Sequence, residues 1–130
     1  MEAHKRNLDE SFEVIKECVE KGFEKRQRSL GFHTSAAMCD MLEMLLHKKS
    51  LIDPGASIKH EHFSSSRISD EKFPFDFPNK KEILEIMVRI KNKRNVLCYG
   101  KQQPENIIQS VIDDFNLLKS KIKGAGLDEL

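Results

Sequence analysis

Apolar residues recur along this chain at the spacing of helices. Leu8, Phe12, Ile15, Val19 and Phe23 stand three or four residues apart, so they fall on one side of a helix. The spacing predicts a first helix over 8–30. Asn7 is placed to cap it, Glu10 stands in the capping-box position, and Gly31 is a natural stop. Glu17–Lys21 and Glu24–Arg28 supply supporting pairs one turn apart. Gly22 lies inside this stretch and should cost about 1 kcal/mol relative to alanine. A second helix is predicted over 34–49, capped by Thr34 or Ser35, with Met38, Met41, Leu42 and Leu45 along one side. A third runs over 80–98, with Asn79 and Glu82 as a second capping box. A fourth covers 104–123, opened by Pro104 and carrying Ile108, Val111, Ile112, Phe115, Leu118 and Ile122 on its apolar face.

Residues 50–78 break the pattern. They hold Pro54-Gly55, three successive serines at 64–66, and Phe73, Phe75 and Phe77 interleaved with Pro74 and Pro78. The phenylalanines alternate as in a strand, but the prolines interrupt them. Extended chain with its rings packed on the helices is expected here. A connection this long should be functional, partly folded or mobile.

The pattern therefore predicts an all-α fold, an antiparallel, up-and-down four-helix bundle with one long irregular connection, as a single domain over 1–130. The 130 residues suffice for one core. Composition agrees: 38% of residues are hydrophobic and 33% charged, and no apolar run reaches the length of a membrane span. The three cysteines, Cys18, Cys39 and Cys98, form no paired motif, and the chain opens without an apolar leader. Reduced thiols in a cytoplasmic chain are the expectation.

Charge changes the picture locally. The net charge is +1, which excludes the bulk electrostatics of a coat protein for nucleic acid. Yet the stretch 80–101 holds Lys80, Lys81, Arg89, Lys91, Lys93, Arg94 and Lys101 against Glu82 and Glu85. Seven basic residues face two acidic ones. Arg94 is the anomaly among them. Placed on a helical wheel, it falls about 20° from Ile83, within the apolar face. An unpaired buried charge is costly, so something must receive the guanidinium: a carboxylate, a helix end, water or a bound anion. Its planar fork suits phosphate.

The residues Lys93-Arg94-Asn95-Val96-Leu97-Cys98-Tyr99-Gly100, late in the third helix of four, resemble the signature of the HEPN superfamily. These are small helical bundles, usually dimeric. Many are metal-independent ribonucleases of toxin–antitoxin, CRISPR and abortive-infection systems, and others are partners of minimal nucleotidyltransferases. Arg94 matches the family's arginine and Asn95 its polar neighbour. The family's histidine should fall at 99, 100 or 101, where this chain has Tyr99, Gly100 and Lys101. A phenol is a poor general base at neutral pH, though it donates hydrogen bonds and stacks on bases.

The resemblance implies a homodimer whose cleft holds Arg94, Asn95 and Tyr99 near the two-fold axis. Lys91, Lys93 and Lys101 would supply attraction for RNA or a nucleotide, with little or no nuclease activity. A metal-independent ribonuclease and a non-enzymatic partner of a nucleotidyltransferase or other complex are the alternatives. No cofactor and no metal is expected. His60-Glu61-His62 alone is a weak ligand pattern, although either histidine could fold back as a distant base. Cys98 lies close enough to Lys93 and Arg94 for its pKa to be lowered, but no oriented base accompanies it.

Overall fold

The computed structural model describes residues 2–130. The fold is all-α, with no strand among the described residues. Five helices follow in order: α1 (Glu2–Glu20), α2 (Gln27–Lys48), α3 (Ser66–Lys72), α4 (Lys80–Tyr99) and α5 (Glu105–Gly124). Two short 3₁₀ turns, Phe23–Arg26 and His60–Phe63, precede α2 and α3.

The N-terminal half differs from the helices expected over 8–30 and 34–49. The first break falls at Gly22, whose φ of 94° no ordinary helix accepts. The glycine that looked tolerated inside a helix ends one, and Gly31, the expected stop, lies inside α2. Gly31 is there because two helices cross at it. A Cβ on it would stand 2.9 Å from Leu97 Cβ and 3.1 Å from Cys98 Sγ on α4. Thr34 and Ser35 are buried within α2 instead of capping it, and the Thr34 hydroxyl donates back to the Leu30 carbonyl at 2.8 Å. At the other end, α1 begins at Glu2, so Asn7 is an exposed interior residue and not a cap.

The buried side of α1 is formed by Leu8, Ser11, Ile15 and Cys18, with Phe12 at its edge against Phe115. Val19 of the expected stripe faces outward, and the side chains of Phe23 and Glu24 lie outside the described residues. α2 packs against α1, α4 and α5 at once. Leu30, Met38, Met41, Leu42, Leu45 and Leu46 are all fully buried, which is why this helix is apolar nearly all round.

The crossing at Gly31 is testable. Alanine gains about 1 kcal/mol of helix propensity there, but overpacking costs about 1–3 kcal/mol. Leu97 Cβ is fixed to the α4 backbone, so relieving that contact requires α4 to shift, whereas Cys98 Sγ can turn about its own side-chain bond. Gly31→Ala is expected to lower the urea midpoint. A higher midpoint would show that α2 and α4 can part freely.

α4 and α5 lie within a residue of their expected limits. The second capping box is not made. Asn79 takes a left-handed conformation (φ 61°) and its amide donates to the Lys121 carbonyl at 3.1 Å, tying the start of α4 to the end of α5. The connection 50–78 is partly folded. Ser65 caps α3, and Phe63, Phe73, Phe75 and Phe77 form a run of ring contacts with centroids 5.6–6.2 Å apart. Phe63, Phe73 and Phe77 are buried, so the rings do pack inward.

Candidate functional site

The seven basic residues of 80–101 fall into unlike groups. Arg89 and Lys93 share one carboxylate: Asp114 of α5 accepts from Arg89 Nε and Nη2 at 3.2 and 3.1 Å, and from Lys93 Nζ at 2.7 Å. Lys93 therefore serves the α4–α5 contact. Lys91 and Arg94 lie on another side of α4, away from Asp114. They are 7% and 8% exposed, and neither has a carboxylate partner among the described residues. Lys91 Nζ donates to Asn95 Oδ1 at 3.0 Å. The Arg94 guanidinium stands over the Tyr99 ring, 5.8 Å from its centroid.

Arg94 and Tyr99 meet because α4 ends at Tyr99, freeing that ring to swing back toward the preceding turn. Around a continuing straight helix the two would diverge by about 140°. Asn95 does not join them: its carbonyl oxygen holds Lys91. Lys101 lies beyond α4, and its backbone carbonyl accepts from Gln27 Nε2 at 3.1 Å.

Arg94 forms the wall between two clefts. The larger, about 590 Å³, opens between the beginning of α2 and the end of α4. Lys25, Arg26, Arg28, Ser29, Phe32 and His33 line one side; Arg94, Cys98 and Tyr99 line the other. The smaller, about 340 Å³, is lined by Ser35, Cys39 and Asp40 of α2, by Ile58, Lys59, His60 and Glu61 of the connection, and again by Phe32 and Arg94. Phe32 and Tyr99 are 53% and 72% exposed, unusually open for rings of their size.

The clefts contain two histidines that spacing did not assign to Arg94. Burial pushes His33 below its ordinary value, partly opposed by Glu10. His60 is pushed down by burial first, then by the charges of Arg94 and Lys91. Both rings therefore favour the neutral form, which can accept a proton. His60 Nδ1 is buried with no hydrogen-bond partner, and its Nε2 lies 3.4 Å from Glu61. His62 turns away: its Nδ1 accepts from the Lys59 amide at 3.1 Å and its ring packs on Phe73. The run His60-Glu61-His62 thus splits between cleft and scaffold.

The thiols are poor nucleophiles here. Burial raises Cys98 despite Arg94, Arg28 and Lys91, reversing the lowered value expected from its charged neighbours. Cys39 is pushed up to about 12 by burial, with Asp40, Glu43 and Glu61 adding to the effect.

Lys25 and Arg26 end the 3₁₀ turn before α2 and Arg28 lies in the first turn of α2, a placement beside Arg94 that a helix drawn over 8–30 hides. No helix among the described residues is long and apolar enough to cross a membrane. No family model, no curated protein and no solved structure matches the chain.

Proposed function

We propose that this chain is a HEPN-like domain whose helices α1, α2, α4 and α5 form an antiparallel bundle. In this reading it works as a dimer and grips the phosphate of RNA or a nucleotide at Arg94, with weak or no catalysis. The observation that carries the reading is Arg94, a buried cation that lines both clefts and has no carboxylate within salt-bridge distance among the described residues. Leaving such a charge unpaired costs several kcal/mol, and a bound phosphate reduces that cost. The cleft also suits what accompanies a phosphate. Arg26 and Arg28 add positive charge, and the open rings of Phe32 and Tyr99 offer stacking surfaces for an unstacked base. The same exposed rings would be covered in part by a second copy.

A second reading, metal-independent RNA cleavage, is favoured by His60. It faces Arg94 across the smaller cleft, where it can act as a base from another part of the chain.

Incubation with labelled RNA in EDTA separates the two. The expected result is saturable binding without cleavage. Products ending in a 2′,3′-cyclic phosphate, lost in both Arg94→Ala and His60→Ala, would establish the second reading. Absence of binding at low salt would overturn both.

A further inference from the structure

The two clefts that meet at Arg94 are unlike in charge. The larger is lined by Lys25, Arg26, Arg28 and Arg94, and by no carboxylate among the described residues. Of these, Arg26 also meets Glu17 at 3.8 Å, an exposed pair. The smaller cleft carries two carboxylates, Asp40 and Glu61, against Lys59 and Arg94. Arg94 and Phe32 line both clefts. Polar atoms stand unused in the smaller one. His4 Nδ1 lies 2.9 Å from Asp40 Oδ1, while Asp40 Oδ2 accepts from nothing among the described residues. His60 Nδ1 is buried with no partner.

We propose that the site selects a guanine nucleotide within single-stranded RNA, with its phosphate on Arg94, its base in the smaller cleft and the continuing backbone along the larger one. The inference rests on the phosphate reading of Arg94 and adds to it the base and the path of the chain. Charge sets the path. Neighbouring phosphates meet Lys25, Arg26 and Arg28 in the larger cleft, whereas Asp40 and Glu61 repel them from the smaller. An uncharged part of the ligand therefore belongs in the smaller cleft, whose volume of about 340 Å³ has room for a base. Phe32, at the boundary and 53% exposed, offers it a face to stack on.

Hydrogen-bond polarity sets the base. The smaller cleft offers the Asp40 and Glu61 carboxylates as acceptors and the Lys59 ammonium as a donor. Guanine presents N–H donors side by side at N1 and N2, next to the acceptor O6. Uracil has a single N–H between two carbonyls. Adenine and cytosine each place one amino group beside a bare ring nitrogen, which a carboxylate disfavours. A base that leaves a desolvated carboxylate oxygen unpaired is rejected more strongly than one that merely fits less well. The ribose 2′-hydroxyl both donates and accepts, so it can pair with the unpartnered His60 nitrogen whichever tautomer the ring holds.

The test is fluorescence anisotropy of the full chain with the labelled pentanucleotides UUGUU, UUAUU, UUCUU and UUUUU. UUGUU should bind at least about fivefold tighter than the others, the low end of discrimination by one base-edge pair. Asp40→Asn and Glu61→Gln should each shrink that preference without lowering the affinity for UUUUU. Glu61 is exposed, so its variant keeps the test open should Asp40→Asn fail to fold by circular dichroism. Arg28→Ala should weaken all four ligands while the preference survives. Equal binding of the four would overturn the guanine assignment and leave the phosphate reading standing. A preference untouched by the folded acid variants would place the base outside the smaller cleft, and an Arg28→Ala without effect would overturn the path. Binding of none of the four would remove the phosphate reading, and this inference with it.

Discussion

Arg94→Ala is expected to weaken binding of a short single-stranded RNA by about 10- to 150-fold, corresponding to about 1.5–3 kcal/mol for a charged hydrogen bond to phosphate. Lys93→Ala should leave that affinity nearly unchanged, because Lys93 is committed to Asp114 at 2.7 Å. The contrast matters more than either value. The two residues adjoin in sequence and carry the same charge, so a diffuse electrostatic effect would penalise both. Arg94→Lys should recover only part of the loss, since an ammonium lacks the planar fork. Fluorescence anisotropy across a salt series measures all three, and Arg94→Ala should reduce the salt slope by about one.

Stability supplies the second half of this test. If an acid received the guanidinium, removing Arg94 would strand a buried carboxylate and cost about 3–5 kcal/mol. No carboxylate receives it among the described residues, so Arg94→Ala should leave the urea midpoint level or raise it. A large fall in stability with unchanged RNA affinity would make Arg94 a structural residue and end the phosphate reading.

The helical wheel identified Arg94 as out of place, and its burial without an acid is what the structure adds. Periodicity also placed α4 and α5, where apolar stripes run uninterrupted and end in tyrosine-glycine or glycine. It failed where packing overrode local signals. Gly31 reads as a terminator by propensity, yet α2 passes through it because α4 comes too close for a Cβ. Asn79 reads as a cap, yet its amide is spent on α5.

The site was half legible for the same reason. Arg94 and Tyr99 are five residues apart and could be paired by inspection. His33 and His60 reach the clefts only through the tertiary fold, 61 and 34 positions away from Arg94 in the chain. The sorting of Lys93 from Lys91 needed Asp114, which no local pattern could supply.

Phe63→Ala should cost about 3–5 kcal/mol, the range for emptying a fully buried phenylalanine site. That is large for a residue in what the sequence presents as a loop. The ring stacks on Phe73 at 5.6 Å, and Phe73 continues the contacts to Phe75 and Phe77. Phe63 also ends the 3₁₀ turn that begins with His60. The cost should therefore be felt unevenly. Amide exchange should rise first across 58–72, while the shared core of α2 and α4 stays protected, and the urea midpoint should fall. Phe75→Ala, at a half-buried ring, serves as the control and should cost about 1 kcal/mol. If the two variants prove equal and exchange rises evenly, the connection is a passive surface loop. If exchange rises locally, the aromatic run is what holds His60 in the cleft it shares with Arg94, and Phe63→Ala should lower any RNA cleavage without touching a residue of the cleft.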